Sequence, residues 1–198
     1  RPFIADQAVQ AWALCACLRR GAVVATNNMS IIMADCPGLE ADGDVLLPIW
    51  AVEYVINRKA ILSSIMLNKN YAAFRWDDGS WFRTQLVEGQ FPPQIAGILA
   101  NPERATVTVE KAWFKAYEDV AVLSESSIRI GPGEMVGGKG KAEVHATIGT
   151  LVDKDVLFNP KFLTPVLAKA THWGPEVWPA PVPFRGNGFS GVVVGRKS

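Results

Sequence analysis

The residues best suited to chemistry are a glycine-rich run, Gly133-Glu134-Met135-Val136-Gly137-Gly138-Lys139-Gly140, two histidines and three cysteines. The run is one residue short of the phosphate-loop pattern GxxxxGK[ST], because Gly140 has no hydroxyl to hold magnesium. Lys141 to Ile148 then alternates like a strand where a phosphate loop would open a helix, so the run reads as a mobile hairpin turn. His145 and His172 lie far apart, with no Ser, Cys or carboxylate arrangement that matches a known catalytic motif. Cys15, Cys17 and Cys36 cannot all pair. Without a second close pair or a nearby His they read as small buried apolar residues in a reducing compartment, not as zinc ligands. Asp42, Asp44, Asp77 and Asp78 fall in turns, where aspartate bonds the local backbone, and are too few for calcium. No enzyme class, cofactor or metal emerges.

Basic residues on helices offer a second kind of chemistry. Arg58 and Lys59, Lys111 and Lys115, and Lys161 and Lys169 lie off the apolar stripes of three expected helices. If those helices share one side, their cations make a surface that holds phosphates without reading bases. The alternative is an ordinary solvated helix face. The formal net charge of +1 gives no overall case for nucleic acid, so any case depends on where the Lys and Arg sit.

These residues need elements to position them. From Gln10 to Ala34 the chain reads as two strands and a hairpin, with a turn or bulge at Asn27-Asn28. Pro48 suits the first turn of a helix ending near Lys59, with Ile49, Val52 and Ile56 as its apolar stripe. Ala60 to Leu67, Tyr71 to Trp76 and Trp81 to Val87 make an antiparallel meander. Phe82 to Asn101 carries a proline pair, Pro92-Pro93, and reads as an extended crossing into a second copy of the same plan.

The second copy begins with a strand at Thr106 to Glu110 and a helix whose stripe is Trp113, Ala116, Tyr117 and Val120. Strands follow at Ser127 to Ile130, Ala142 to Ile148 and Asp155 to Phe158. A helix capped by Asn159 comes next, either kinked at Pro165 or starting late at Thr164. In the proline-rich tail only Phe189 to Val194 reads as a strand. The order strand, helix, antiparallel strands, repeated, predicts an α+β fold.

The 198 residues suffice for two domains, and 49% hydrophobic with 20% charged residues excludes global disorder. The sequence opens on Arg1 with no leader and no apolar run long enough to span a bilayer. It is expected to be a soluble, cytoplasmic part of a longer chain.

Several stretches resemble one family. Arg83-Thr84-Gln85-Leu86-Val87-Glu88-Gly89-Gln90-Phe91-Pro92 is similar to the R-L-I-E-G-x-F-P signature that closes the middle domain of the bacterial DNA polymerase III β subunit, the sliding clamp. Val24-Ala25-Thr26-Asn27-Asn28 resembles its V-A-T-D-G, and Leu47-Pro48 with the following helix resembles I-P-x-x-x-L. Val120 to Ser124 resembles R-x-x-x-L-S, and Phe158 to Leu163 resembles F-N-x-x-Y-L.

The resemblance implies a DNA-clamp fold of two clamp domains. Residues 1–96 would be of middle type, lacking an opening strand and helix, and 97–198 of C-terminal type. It further implies a non-enzymatic homo-oligomeric ring, a trimer of such chains or a dimer of longer ones, that encircles duplex DNA and confers processivity on a polymerase. Arg58, Lys59, Lys111, Lys115, Lys161 and Lys169 would line the channel. Peptides of polymerases and clamp loaders would bind a cleft of Thr26, Asn28, Met29, Ser30, Ile31, Pro92, Ala96, Gly97, Val192, Val193, Val194 and Arg196.

Two stretches depart from the family pattern. Its D-G-H-R is Asn27-Asn28-Met29-Ser30 here, and its M-P-M-R is Val193-Val194-Gly195-Arg196. The alternative reading is a clamp-fold partner-binding module that no longer encircles DNA.

Overall fold

A computed structural model describes residues 1–139, 142–176 and 178–197. The chain forms two compact units, Arg1–Ile95 and Ala96–Ser198.

In unit 1 a 3-10 turn, Ala11–Leu14, leads into β1 (Cys15–Arg19), β2 (Ala22–Thr26) and β3 (Ser30–Asp35). Then come β4 (Val45–Pro48), α1 (Ile49–Asn57), β5 (Leu62–Leu67), β6 (Tyr71–Trp76) and β7 (Trp81–Gln85). Within the unit the strands run antiparallel as β4-β1-β2-β3 and β5-β6-β7. Register sets Cys17 opposite both Val24 and Leu46, so apolar side chains from three strands meet on one face. Leu18, Leu39, Leu47, Ala51, Ala72, Phe74 and Trp76 form a buried cluster, against which Val52 and Val55 of α1 pack.

Three sequence expectations change here. Gln10 to Ala34 holds three strands, not two, because Asn27-Asn28 makes a full turn and Ser30 onward pairs back on β2. Val45 to Leu47 is itself a strand, and Pro48 closes it as the N-cap of α1 instead of lying in the first turn. The buried side of α1 is Ala51 with Val52 and Val55, while Ile56 is exposed.

A short helix, α2 (Gln94–Ile98), follows Pro93, so the Phe82 to Asn101 stretch is not extended throughout. The carbonyl of Pro92 accepts from Ile95 N at 3.1 Å and starts that helical turn.

Unit 2 contains β8 (Val107–Thr108), α3 (Lys111–Ala121), β9 (Ile128–Gly131), β10 (Glu134–Lys139) and β11 (Ala142–Thr147). Next are β12 (Val156–Phe158), α4 (Pro160–Leu167), β13 (His172–Trp173), β14 (Val182–Gly186), β15 (Phe189–Val193) and β16 (Arg196–Lys197). Its strands are ordered β11-β10-β9-β12-β16 and β15-β14-β13-β8. Trp113, Tyr117 and Val120 of α3 and Leu163, Val166 and Leu167 of α4 are buried, and α3 packs on β10 and β11.

The α4 helix starts at Pro160, capped by Asn159, whose side chain accepts from Lys161 N at 2.9 Å, and it continues through Pro165. That excludes the late start at Thr164. The proline-rich tail also holds more strand than expected. Pro183 lies within β14 opposite Val192, and its carbonyl accepts from Gly174 N at 2.7 Å. A strand residue's N–H points the same way as its carbonyl, so the missing donor of Pro183 faces the end of β13, where the ladder has stopped.

Candidate functional site

The glycine-rich run is not a loop: Glu134 to Lys139 form β10, paired with both β9 and β11. The glycines serve packing, since a Cβ on Gly137 would meet the Ser124 hydroxyl and Val120 at the end of α3. Gly140 and Lys141 lie outside the described residues. His145 on β11 stands 3.6 Å from a Glu134 oxygen and 3.4 Å from a Glu143 oxygen, and His172 Nδ1 is 3.0 Å from the Thr171 hydroxyl. Each histidine is thus engaged within its own strand neighbourhood. Cys15 and Cys17 are buried, and burial pushes both thiols up to about 11, away from nucleophilic use.

The six helix-associated cations divide into two classes. Arg58 caps the C-terminus of α1 and is bound up in unit 1. Its guanidinium donates to Asp78 Oδ2 at 2.9 Å and to Ser80 Oγ at 2.5 Å, and lies 5.0 Å from the Trp76 ring centroid. The Ser80 hydroxyl and amide, and then Arg58, hold the Asp78 carboxyl below its ordinary range. Lys59, Lys111, Lys115, Lys161 and Lys169 are exposed.

Lys111 and Lys115 stand one turn apart on α3, with Glu118 and Asp119 a turn further on. The α4 helix carries Lys161 without a single carboxylate, and Lys169 follows its end. That makes α4 the most one-signed helical surface of the chain. By contrast α1, whose sequence is IWAVEYVIN, bears no cation and exposes Trp50 and Tyr54. The sequence signal for this was present: a helix apolar nearly all round has more than one side to cover.

The residues of the resemblance's peptide cleft fall in both units. In unit 1, Thr26 to Ile31 form the β2–β3 turn. Asn27 Oδ1 accepts from Met29 N at 3.1 Å, Ser30 N at 2.8 Å and Ser30 Oγ at 3.0 Å, while its amide donates to the Pro2 carbonyl. Thr26 Oγ1 donates to the Ser30 carbonyl and accepts from Asn28 N. Asn28 has φ 69°, a left-handed conformation that asparagine tolerates better than most residues. Met29 and Ile31 are half-buried, as is Pro92.

In unit 2, Ala96 and Gly97 are exposed on α2, Val192 and Val193 are buried in β15, and Val194 is half-buried. Arg196 is exposed on β16, paired with Leu157. Gly195 departs from the family's methionine for a steric reason, since a Cβ there would meet Val156.

No family model matches the sequence, and no curated protein matches it. Solved structures do. The DNA polymerase sliding clamp of Caulobacter crescentus aligns over 99% of this chain and 60% of its own, with TM-score 0.78 at 15% identity. The sliding clamp of Pseudomonas aeruginosa aligns over 99% and 61%, with TM-score 0.73 at 16% identity. The chain has the sliding-clamp fold. The β subunit of Streptococcus pyogenes DNA polymerase is similar at TM-score 0.71 and 14% identity. This clamp-fold chain spans about three fifths of the length of the structures it matches. Among the described residues, no helix is long and apolar enough to cross a membrane.

Proposed function

We propose that this chain is part of a sliding clamp, a non-enzymatic ring that encircles duplex DNA and tethers replication proteins to it. The observation that carries the reading is the clamp fold over 99% of the chain. Lys111, Lys115, Lys161 and Lys169 are the channel cations of this reading, joined by Lys59. They are long, exposed and set on helices, which suits phosphate contacts that carry no sequence information. Arg58 contributes by fixing the end of α1, because its Nη2 is held by Asp78 and Ser80 and its guanidinium lies against the Trp76 ring.

The proposed peptide site uses Met29, Ile31, Pro92 and Val194 as apolar contacts, with Thr26, Asn28, Ser30, Ala96, Gly97, Val192, Val193 and Arg196 shaping or supporting it. Its ligand is a short apolar peptide from a polymerase or clamp loader. Retention on DNA is the deciding test. A closed ring loaded on nicked circular duplex stays bound, and linearising the duplex releases it. Equal retention on circular and linear DNA would sink the ring reading and leave a partner-binding module.

A further inference from the structure

The outer face of the β5-β6-β7 sheet combines exposed aromatic surface with positive charge. Alternation along the strands sends Ala72, Phe74 and Trp76 of β6 and Thr84 of β7 inward, where they are buried. Tyr71, Ala73 and Arg75 of β6, with Trp81 and Arg83 of β7, therefore stand on the opposite face. Register sets Arg75 directly opposite Trp81, and Ala73 between Met66 and Arg83. Trp81 is 70% exposed, the most exposed tryptophan of the chain, while Trp76 on the neighbouring strand is 2% exposed. At that exposure the Trp81 indole adds little to the core.

The charge on this face has one sign. The strand sequences LSSIML, YAAFRW and WFRTQ contain no Asp or Glu. Arg75 and Arg83 are exposed, and among the described residues neither is held by a carboxylate, whereas Arg1, Arg19, Arg58 and Arg129 all are. The two carboxylates of the β6–β7 turn are engaged at the end of the sheet. Asp77 accepts from Ile61 N, and Asp78 from Arg58 and from Ser80 N.

The Arg83 guanidinium carbon lies 3.9 Å from the centroid of the Tyr71 ring, so a flat cation is laid on the phenol. Ala73, with a single methyl, keeps the centre of the face low beside it. A flat, cationic and aromatic surface of this kind offers an apolar peptide no groove. A duplex keeps its base faces stacked inside, whereas an unpaired strand presents both the faces that an indole stacks and the phosphates that arginines attract.

We propose that the outer face of β5-β6-β7 is a platform for single-stranded nucleic acid, with a base stacked on Trp81 and the flanking phosphates held by Arg75 and Arg83. Recognition is by stacking and charge, which tolerates any base. The platform lies within unit 1 and uses none of the lysines assigned to duplex DNA, so it and the ring reading can fail separately.

The test titrates the 198-residue chain into a fluorescein-labelled oligothymidylate of about twelve nucleotides and follows anisotropy at low salt. Trp81→Ala should weaken binding by roughly tenfold, and Trp81→Phe, which keeps an aromatic face, should recover most of the loss. Arg75→Ala and Arg83→Ala should each lower the slope of log affinity against log salt by roughly 0.7. An abasic strand of equal length, titrated with the unsubstituted chain, supplies the phosphates without the bases and should bind roughly tenfold more weakly or worse. Equal binding of the abasic strand overturns the proposal, because it leaves charge alone. Full affinity in Trp81→Ala overturns it as well. So does polyglutamate that displaces the oligothymidylate at matched charge concentration, since that assigns the face to an acidic protein.

Discussion

The hydroxyls of Tyr117 and Thr164 stand 2.6 Å apart across the seam between α3 and α4. Tyr117 also donates to the Pro160 carbonyl at 3.1 Å, one turn before Thr164, so a single phenol fixes both the spacing and the rotation of the helix pair. The lysines of α3 and α4 therefore depend on this contact for their mutual placement. Tyr117→Phe should cost about 1 kcal/mol in denaturant unfolding, the ordinary value of one hydrogen bond. The cost stays modest because Thr164 Oγ1, 2.8 Å from the Pro160 carbonyl, can give its one proton to that oxygen once the phenol is gone.

Alkaline pH should destabilise the fold in a defined direction. Burial raises the Tyr117 phenol and pushes the Cys15 and Cys17 thiols up to about 11. A group whose folded pKa is raised binds more protons folded than unfolded between the two values. Its contribution is whole below the unfolded value and is lost as pH climbs to the folded one. The midpoint in denaturant should hold to about pH 9 and fall toward pH 11. A Cys15→Ala, Cys17→Ala double variant should show a shallower fall.

The β2–β3 turn should be sensitive at one asparagine and tolerant at the next. Asn27→Ala removes four hydrogen bonds in a buried position and should cost about 2 kcal/mol or more. Asn28→Gly keeps the left-handed backbone and should change the unfolding midpoint little. Asn28→Val, with a branched side chain at φ 69°, should lower it clearly.

Gly137→Ala is expected to destabilise by about 1–3 kcal/mol through overpacking against Ser124 and Val120. Gly133→Ala, at φ 87°, fails for a different reason, backbone strain in the turn before β10. The pair discriminates because Ser124→Ala opens room for the first variant and does nothing for the second. Urea titration of the three single variants and of the two doubles with Ser124→Ala reads this directly.

The proposed channel makes a prediction about salt. Lys161→Ala with Lys169→Ala should reduce the slope of log affinity against log salt for duplex DNA by roughly 0.9 for each phosphate no longer neutralised. Arg58→Ala should leave that slope unchanged and lower stability instead, since its guanidinium is engaged with Asp78, Ser80 and Trp76. A slope that falls as far for Arg58→Ala as for the lysine pair would overturn the division drawn between them.

Local pattern made much of this legible. The meander at Tyr71 to Trp76 and Trp81 onward, the stripe Trp113, Tyr117 and Val120, and the Asn159 cap all appear in the fold, because alternation, helical spacing and capping act over a few residues. The short family-like stretches led to the clamp fold that the solved structures share at 14–16% identity. Where reading failed, a distant neighbour decided. Gly137 is a strand residue because α3 presses on it, and Pro183 is tolerated in β14 because it lies opposite the end of β13, where its carbonyl still accepts from Gly174 N.

By itself the sequence determined which segments could be strand or helix and that the plan repeats, since those follow from residue spacing and turn chemistry. It could not determine which side of α1 is covered or which cations stay exposed. Trp50, Tyr54 and Ile56 are as apolar as Ala51 and Val52, and Arg58 is as basic as Lys59. Only folding separates them, by enclosing Ala51 in the cluster of Leu18, Leu47, Phe74 and Trp76 and bringing Asp78, Ser80 and Trp76 to the Arg58 guanidinium. Burial and pairing are properties of neighbours far apart in the chain, and the tertiary structure alone supplies those neighbours.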